Sequence, residues 1–405
     1  MGIFMKRVYI IVLTLIVGVF SFFIANQLLP NPESVNTRTS LHEEVEPLPS
    51  IIEPEELIEE KITTATLLAV GDIMFHMPQV RAAYDPDTKA YDFKNVFQYV
   101  KRYIDSADLS IANFETVTAG NEIGFFGFPR FNSPEETLKA IKYAGFDILT
   151  TANNHALDQG KEGLLNTIEV IKREGMKNIG TYKEPNTQIL IEEINDIKIA
   201  LLSYSYGFNG LEYTLTEEEL SYIVNKIDED IIKNDIKIAK NLEADVVVIY
   251  VHWGNEYQKY PSEYQIGLGR KMIEWGANIV LGSHPHVVQE TEIINYNGKD
   301  NFIIYSMGNF LSNQRKETMD NKYTEDGIMV KIELEKNHSN NDTIIKDIVY
   351  IPTWVRRYTN NGLKYEILPI EDFLEDEELY YKIDEVEIKR IKESLNNTLD
   401  KIIKD

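Results

Sequence analysis

Five short apolar runs in this chain each end in a histidine, an asparagine or a carboxylate, and that recurrence constrains the fold more than any other feature. Thr66–Val70 stops at Gly71-Asp72, and Leu109–Ala112 stops at Asn113-Phe114-Glu115. Asp147–Thr151 leads into Asn153-Asn154-His155, and Asp245–Val251 into His252-Trp253-Gly254. Asn278–Leu281 breaks at Gly282-Ser283 into a loop carrying His284 and His286. Runs such as Asp245–Val251, without polar alternation, read as strands buried on both faces. Between them fall helical patterns: Asn95–Ile104, Ser133–Gly145, Gly160–Glu174, Leu215–Leu242 and Pro261–Trp275. Ser133 caps the second, with Pro134 at its first position and Glu135 and Glu136 behind it.

Strand alternating with helix predicts a mostly parallel sheet whose carboxyl edge is the ligand edge. Later strand patterns lack helices between them: Thr291–Tyr296, Phe302–Ser306, Ile328–Leu334 and Ile344–Tyr350. They predict an antiparallel second sheet packed on the first. A helix over Glu385–Ile403 closes the chain.

Of seven histidines, His42 and His338 lie in polar stretches, whereas His76, His155, His252, His284 and His286 all stand at or just past predicted strand ends. Asp72, Glu115 and Asn154 join them there. Imidazoles, carboxylates and an amide on one edge compose a divalent-metal site, and nitrogen and oxygen donors without thiolate suit Mn, Zn or Fe better than Ca or Mg. Each residue alone has a plain structural reading as a turn acid, a turn asparagine or a core histidine. Their joint placement at successive strand ends favours the site. His284 and His286 flank Pro285, so chelation by both is expected to depend on a turn at Ser283–Pro285, or to involve a pair of neighbouring ions.

Cysteine is absent, which excludes disulfides, thiolate ligands, a cysteine nucleophile and a lipobox anchor. The formal net charge of −24 repels nucleic acid, and no basic stripe with interleaved aromatics offsets it. Residues 8–29 form an uncharged apolar run, long enough for a membrane span. Lys6 and Arg7 precede it and no basic residue follows before Arg38, so the N-terminus is expected in the cytoplasm and the rest outside the cell. A cleaved signal peptide is the competing reading, but its apolar region runs only about 7–15 residues and ends in a small-residue site that Ile24-Ala25-Asn26 matches poorly. The expected order is then a cytoplasmic end (1–7), a transmembrane anchor (8–29), an acidic, proline-containing tether (30–64), a globular domain (65–355) and a C-terminal extension (356–405).

Six segments carry a resemblance. Ala69-Val-Gly-Asp72-Ile-Met74, Ala112-Asn-Phe-Glu115, Ala152-Asn-Asn-His155-Ala-Leu-Asp158, Val251-His-Trp-Gly254, Gly282-Ser-His-Pro-His-Val-Val-Gln289 and Tyr305-Ser-Met-Gly-Asn-Phe310 resemble, in order, the CapA family of poly-γ-glutamate capsule synthesis. The resemblance spans about residues 65–312. It implies a calcineurin-like metallophosphoesterase fold, a four-layer α/β/β/α sandwich preceded by a transmembrane helix. It further implies Asp72 as a first-metal ligand, Glu115 as the bridging carboxylate and Asn154 as the amide ligand. His252 and His284 would hold a second metal, with His286 on the first. His155 would orient phosphate or aid the leaving group. Two positions depart from the pattern: Met74 stands where a histidine is usual, with His76 two residues on, and glutamate replaces aspartate at the bridge.

Arg130, in the loop Gly124-Phe-Phe-Gly-Phe-Pro-Arg-Phe-Asn132, reads either as a clamp on a phosphate or carboxylate or as a surface arginine paired with a nearby acid. Asp158, Gln289 and Asn309 are candidates to orient the ligands. Three functions follow as expectations: a membrane-anchored factor in making or exporting poly-γ-glutamate or another anionic envelope polymer with synthase membrane subunits as partners, a dinuclear phosphoesterase acting on a cell-envelope ester, or a non-enzymatic scaffold. An anionic polymer is not attracted by a surface at −24, so cations or a local Lys/Arg pocket must mediate contact.

Overall fold

The computed structural model describes residues 61–185 and 189–402, all within one compact unit. Strand β1 (Ile62–Ile73) lies in the interior of the first sheet. Its side chains alternate between two cores: Leu68, Val70 and Ile73 enter one, and Ala65, Leu67 and Ala69 the other. Burial on both faces explains why the run carries no polar alternation. Beside β1 stand β2 (Leu109–Phe114), β3 (Ile148–Thr150) and β4 (Lys177–Ile179), all parallel.

The second sheet holds β5 (Leu190–Ile194), β6 (Ile197–Ser205), β7 (Val246–His252), β8 (Ile279–Ser283), β9 (Thr291–Tyr296) and β10 (Lys299–Ile304), in the order β9-β10-β8-β7-β6-β5. Its central strands β6, β7, β8 and β10 are parallel, and β5 and β9 pair antiparallel at the edges. Short β11 (Asn309–Leu311) returns to the first sheet beside the C-terminal end of β1. Strands β12 (Asp326–Asn337), β13 (Asp342–Thr359) and β14 (Leu363–Pro369) then extend that sheet, giving the order β14-β13-β12-β1-β2-β3-β4.

Three cores separate four layers. Leu138, Ile141, Val170 and Ile171, from helices α1 (Glu136–Ala144) and α2 (Gly160–Arg173), pack on the outer face of the first sheet. The two sheets face each other through Leu67, Ile111, Ile328, Val248 and Leu281. Ile232, Ile236, Leu268 and Met272, from α3 (Glu229–Asn241) and α4 (Glu263–Trp275), cover the outer face of the second sheet.

The expected division into a parallel first sheet and an antiparallel second one is corrected here. Each sheet is mixed, with its parallel strands side by side. Strands β9 and β10 sit in the second sheet, but β12 and β13 belong to the first, because β12 pairs along β1 from Ile62↔Asn337 to Val70↔Met329. Local periodicity marks both as strands, but a partner so distant in sequence leaves no local trace. Helix α1 also starts later than its sequence suggests, since the Ser133 hydroxyl meets Thr116 Oγ1 at 2.9 Å instead of capping. Strand β13 runs across position 355, β14 pairs with it, and helix α5 (Glu385–Ile402) contributes Ile391 to a satellite core with Trp354 and Phe373. Within 356–402, residues up to Thr359 and Leu363–Pro369 are thereby strands of the first sheet, and the helices after them pack in that satellite core. Among the described residues no helix is long and apolar enough to cross a membrane. The expected span 8–29 and nearly all of the tether lie outside those residues.

Candidate metal centre

The carboxyl ends of β1, β2, β7 and β8, with the loop after β3, meet at one buried edge. Two glycines set how closely they meet. A Cβ on Gly71 would lie 1.9 Å from the Gly308 carbonyl oxygen, and one on Gly282 would lie 2.1 Å from that of Tyr305. Asp72 N, just past the first glycine, donates to Gly308 O at 3.0 Å, which pins the Asp72 carboxylate at the junction of β1 and β11.

Asp72, Glu115 and His252 are fully buried, and Asn154, His155, His284 and His286 nearly so. Asn113 lies at their centre. Its amide nitrogen donates to Asp72 Oδ1 at 2.8 Å and lies 3.5 Å from Glu115 Oε2 and 3.3 Å from His252 Nδ1, while its oxygen accepts from Asn153 Nδ2 at 3.0 Å. His252 Nδ1 is also 2.9 Å from Ser283 Oγ, and its Nε2 is 3.0 Å from Asn154 Oδ1. His286 Nδ1 lies 3.1 Å from both Asp72 Oδ2 and Asn309 Oδ1. The Nε2 atoms of His252 and His286 are thus aimed at one oxygen, Glu115 Oε1, at 3.6 and 3.7 Å.

That oxygen and His284 Nδ1 are buried and have no hydrogen-bond partner. A buried carboxylate oxygen and imidazole nitrogen left in this state cost about 1–3 kcal/mol each unless something else satisfies them. Two overlapping groups, Asp72-Glu115-His252 and Glu115-His284-His286, have ligand atoms lying within 4.8 Å of one another. Glu115 belongs to both, the place of a carboxylate shared between two ions. In these groups His284 falls with His286 and His252 with Asp72, while His286 Nδ1 also lies 3.1 Å from Asp72 Oδ2 and the His252 and His284 rings stand 4.7 Å apart, the pairings of the expected assignment. Both His284 and His286 have positive φ, +97° and +57°. This left-handed backbone on either side of Pro285 sets the directions of the two imidazoles, whose ring centroids stand 5.9 Å apart.

The charge states divide the donor set. Burial opposes ionisation of Asp72, yet the hydrogen bond and charge of His286 and the Asn113 amide hold its carboxyl below the ordinary range. Burial acts against the charge on His286 too, but Asp72 outweighs it and raises the imidazole. Burial, then neighbouring imidazoles, pushes His252 well down, and burial brings His284 to about 3, so both keep a lone pair free for a metal. Burial and then the Asp72 charge push the Glu115 carboxyl well above its usual range. Carboxyl and imidazole donors without thiolate fit a divalent ion held by nitrogen and oxygen, and its binding would displace the protons that Glu115 and His286 hold more tightly than usual.

The other expected residues divide clearly. His155 Nδ1 is 2.8 Å from Asp158 Oδ2, which also accepts from Phe131 N at 2.6 Å, and the Phe131 ring stands edge-on to His155 at 4.8 Å. The Asp158 carboxylate thus fixes the orientation of the His155 ring. Asn309 bonds His286 and is braced by Gln314 and Thr324. The Gln289 side chain is hydrogen-bonded elsewhere: it ties Gln265 to the Gln258 carbonyl. Arg130 is exposed, and its Nε donates to the Asp158 carbonyl at 2.7 Å. His76 is half-buried, 3.3 Å from Ser312 Oγ and edge-on to Phe131, and Met74 is buried in the position expected for a histidine. His338 meets Thr63 at the opposite end of β1. Two participants carried no role in the sequence reading. Asn113 had a signal, since two residues before Glu115 on a strand it shares that residue's face. Tyr206, whose ring is 4.5 Å from that of His284, had none.

The family model described as bacterial capsule synthesis protein PGA_cap matches residues 66–314, which contain every residue of the centre. A capsule biosynthesis protein CapA of Bacillus anthracis is 31% identical over 296 residues, covering 70% of this chain and 66% of that protein. A PGA biosynthesis protein CapA of Bacillus subtilis is 30% identical over 279 residues, covering 66% and 67%. The chain thus spans about two thirds of the length of these relatives. Among solved structures, a phosphatase of Mycoplasma pneumoniae is similar at a TM-score of 0.43 and 13% identity over 72% of this chain and 95% of that one. The calcineurin-like phosphoesterase YfkN of Bacillus subtilis is similar at 0.40 and 15% identity, over 84% and 99%.

Proposed function

The chain belongs to the bacterial capsule synthesis protein family, and on that premise we propose that it is a membrane-anchored protein acting outside the cell in the making or export of poly-γ-glutamate, around a divalent-metal centre. The observation that carries the metal part is Glu115 Oε1: buried, without a partner, and faced by two imidazole nitrogens. The apolar run 8–29 behind Lys6 and Arg7 supports the anchor, and the acidic tether holds the body away from the bilayer. Polymer-synthase membrane subunits are its partners in this reading.

Asp72, Glu115, Asn154, His252, His284 and His286 would hold the ion or ion pair, with Mn, Zn or Fe suited to the donor set. A cation there supplies Lewis acidity toward a carbonyl or phosphoryl oxygen. Asn113 and Asn309 fix the ligands' orientation through the bonds given above. The Asp158 carboxylate holds a proton at His155 Nδ1 and leaves Nε2 as the nitrogen able to exchange a proton with a substrate. That pair also favours a second reading, hydrolysis of a cell-envelope phosphate ester.

Deleting the gene should abolish or sharply reduce extracellular polyglutamate, and an unchanged yield refutes the capsule reading. Purified protein with Mn, assayed on aryl phosphate mono- and diesters, tests the second reading: turnover lost in both His155→Ala and His252→Ala supports it. Absence of metal in the purified protein, together with full complementation by Asp72→Ala, would leave a scaffold in place of both.

A further inference from the structure

A chain at −24 should repel a polyanion, yet four of its lysines line a cleft and crevice beside the metal centre. A cleft of about 570 Å³ is lined by Tyr257, Lys259, Lys316, Lys322 and Tyr323, with Asp320 the acid on its wall. Lys259 Nζ stands 3.9 Å over the Tyr323 ring, and Lys322 approaches the same ring at 5.2 Å. Lys322 is partly committed, because it pairs with Glu393. Lys259 has no acidic partner within ion-pair distance among the described residues, and neither has Lys316. A narrower crevice, also lined by Lys259 and Tyr323 and by Asp326, whose charge is paired with Arg390 at 2.7 Å, continues to Lys401, which sits 3.3 Å over the Tyr260 ring. The result is a row of four lysines interleaved with tyrosines.

The row adjoins the centre. Tyr257 lines the cleft while its ring lies 6.0 Å from that of His286. Its hydroxyl accepts from Gln314 Nε2 at 3.3 Å, and Gln314 Oε1 accepts from Asn309 Nδ2 at 3.0 Å, so the cleft wall and the His286 support share one hydrogen-bonded chain. The Tyr257 amide also donates to the Pro285 carbonyl at 2.8 Å, between the two ligand histidines. Ammonium groups on flexible stems bind spaced carboxylates as point charges, and tyrosine faces pack against the intervening amide planes.

We infer that this row, Lys316-Lys322-Lys259-Lys401, is the track along which an anionic polycarboxylate lies as it reaches the metal centre. The inference rests on the capsule reading above and assigns the polymer's place on the protein. It resolves the conflict between a strongly acidic chain and an acidic partner, since recognition needs only a local field of the right sign.

The test uses fluorescently labelled oligo-γ-glutamate, full-length chain loaded with Mn, and anisotropy at physiological salt. Lys259→Gln, Lys316→Gln and Lys401→Gln combined should weaken binding about tenfold, the sum of three exposed ion pairs, and steepen no other property. Lysine-to-arginine replacement at the same positions should preserve binding. Removing three exposed lysines elsewhere, Lys139, Lys172 and Lys237, should leave it unchanged. Equal binding by the cleft variant and wild type overturns the inference while leaving the capsule reading intact, and so does absence of binding by wild type. Linear polyphosphate bound as tightly, with the same loss in the variant, overturns the polycarboxylate assignment. Unchanged polymer yield after gene deletion, by contrast, strikes the capsule reading itself.

Discussion

Replacing Glu115 with glutamine should move stability in opposite directions with and without metal. In the metal-free chain the carboxylate is a liability. It is fully buried, Oε1 has no partner, and the ionised Asp72 shares its donor Asn113. A glutamine amide of nearly the same shape has no proton to lose beside Asp72 and places an N–H where Oε1 was, facing His286 Nε2, now 3.7 Å away. Relieving one buried unsatisfied oxygen is worth about 1–2 kcal/mol, which raises Tm by about 2–4 °C for a domain of this size. With metal the sign reverses. Wild type at a hundredfold excess over Kd gains about 2.7 kcal/mol, and the variant, lacking the shared anionic ligand, gains almost none. Calorimetry in EDTA and in Mn reads both legs. The pH profile in EDTA supplies a further check. Because the folded Glu115 carboxyl is raised above its ordinary 4.5, the folded state holds a proton that the unfolded state releases. Wild type should then lose stability as pH climbs from about that value through the folded one, and the variant should lack this component. A metal-free variant less stable than wild type, or one keeping the full Mn-induced gain, refutes the reasoning.

Asn113→Ala removes the amide that orients Asp72 and His252 without removing a ligand, so metal affinity should fall about ten- to hundredfold, measured by competition with a chelating dye. Asp158→Asn should keep the metal content, by elemental analysis, yet lower polymer yield or ester turnover as His155→Ala does, because His155 loses the carboxylate that fixes its tautomer. Gly71→Ala drives a methyl to 1.9 Å from the Gly308 carbonyl and should destabilise the fold by more than about 3 kcal/mol, read as insoluble protein or a Tm lowered by several degrees. Chelation of wild type should lower Tm by the amount that Mn restores, and a chelated protein with unchanged Tm argues against a structural share for the ion.

What could be read from residues alone follows a physical boundary. Strand identity is local, so every histidine after a buried run could be placed at a strand end, and the structure puts His252 and Ser283 directly opposite each other on β7 and β8. Pairing between strands is not local. That is why β12 could be recognised as a strand but was assigned to the wrong sheet, and why Asn113, registered across from Asp72 on the neighbouring strand, carried no role until that register was known. Backbone hand is the third case. Residues at the spacing of His284 and His286 share a face in extended chain, but both stand at left-handed φ, a turn that the spacing does not announce. Such values are uncommon in residues other than glycine and cost free energy, so the fold must hold them there. Its means are visible: the His284 amide lies 3.3 Å from Asp72 Oδ2, the Pro285 carbonyl accepts from Tyr257, and His286 is braced by Asn309. The loop is therefore strained into position by the very residues that would share its ion. A metal centre was legible as a list of donors, and its geometry had to come from contacts between segments that the sequence keeps hundreds of residues apart.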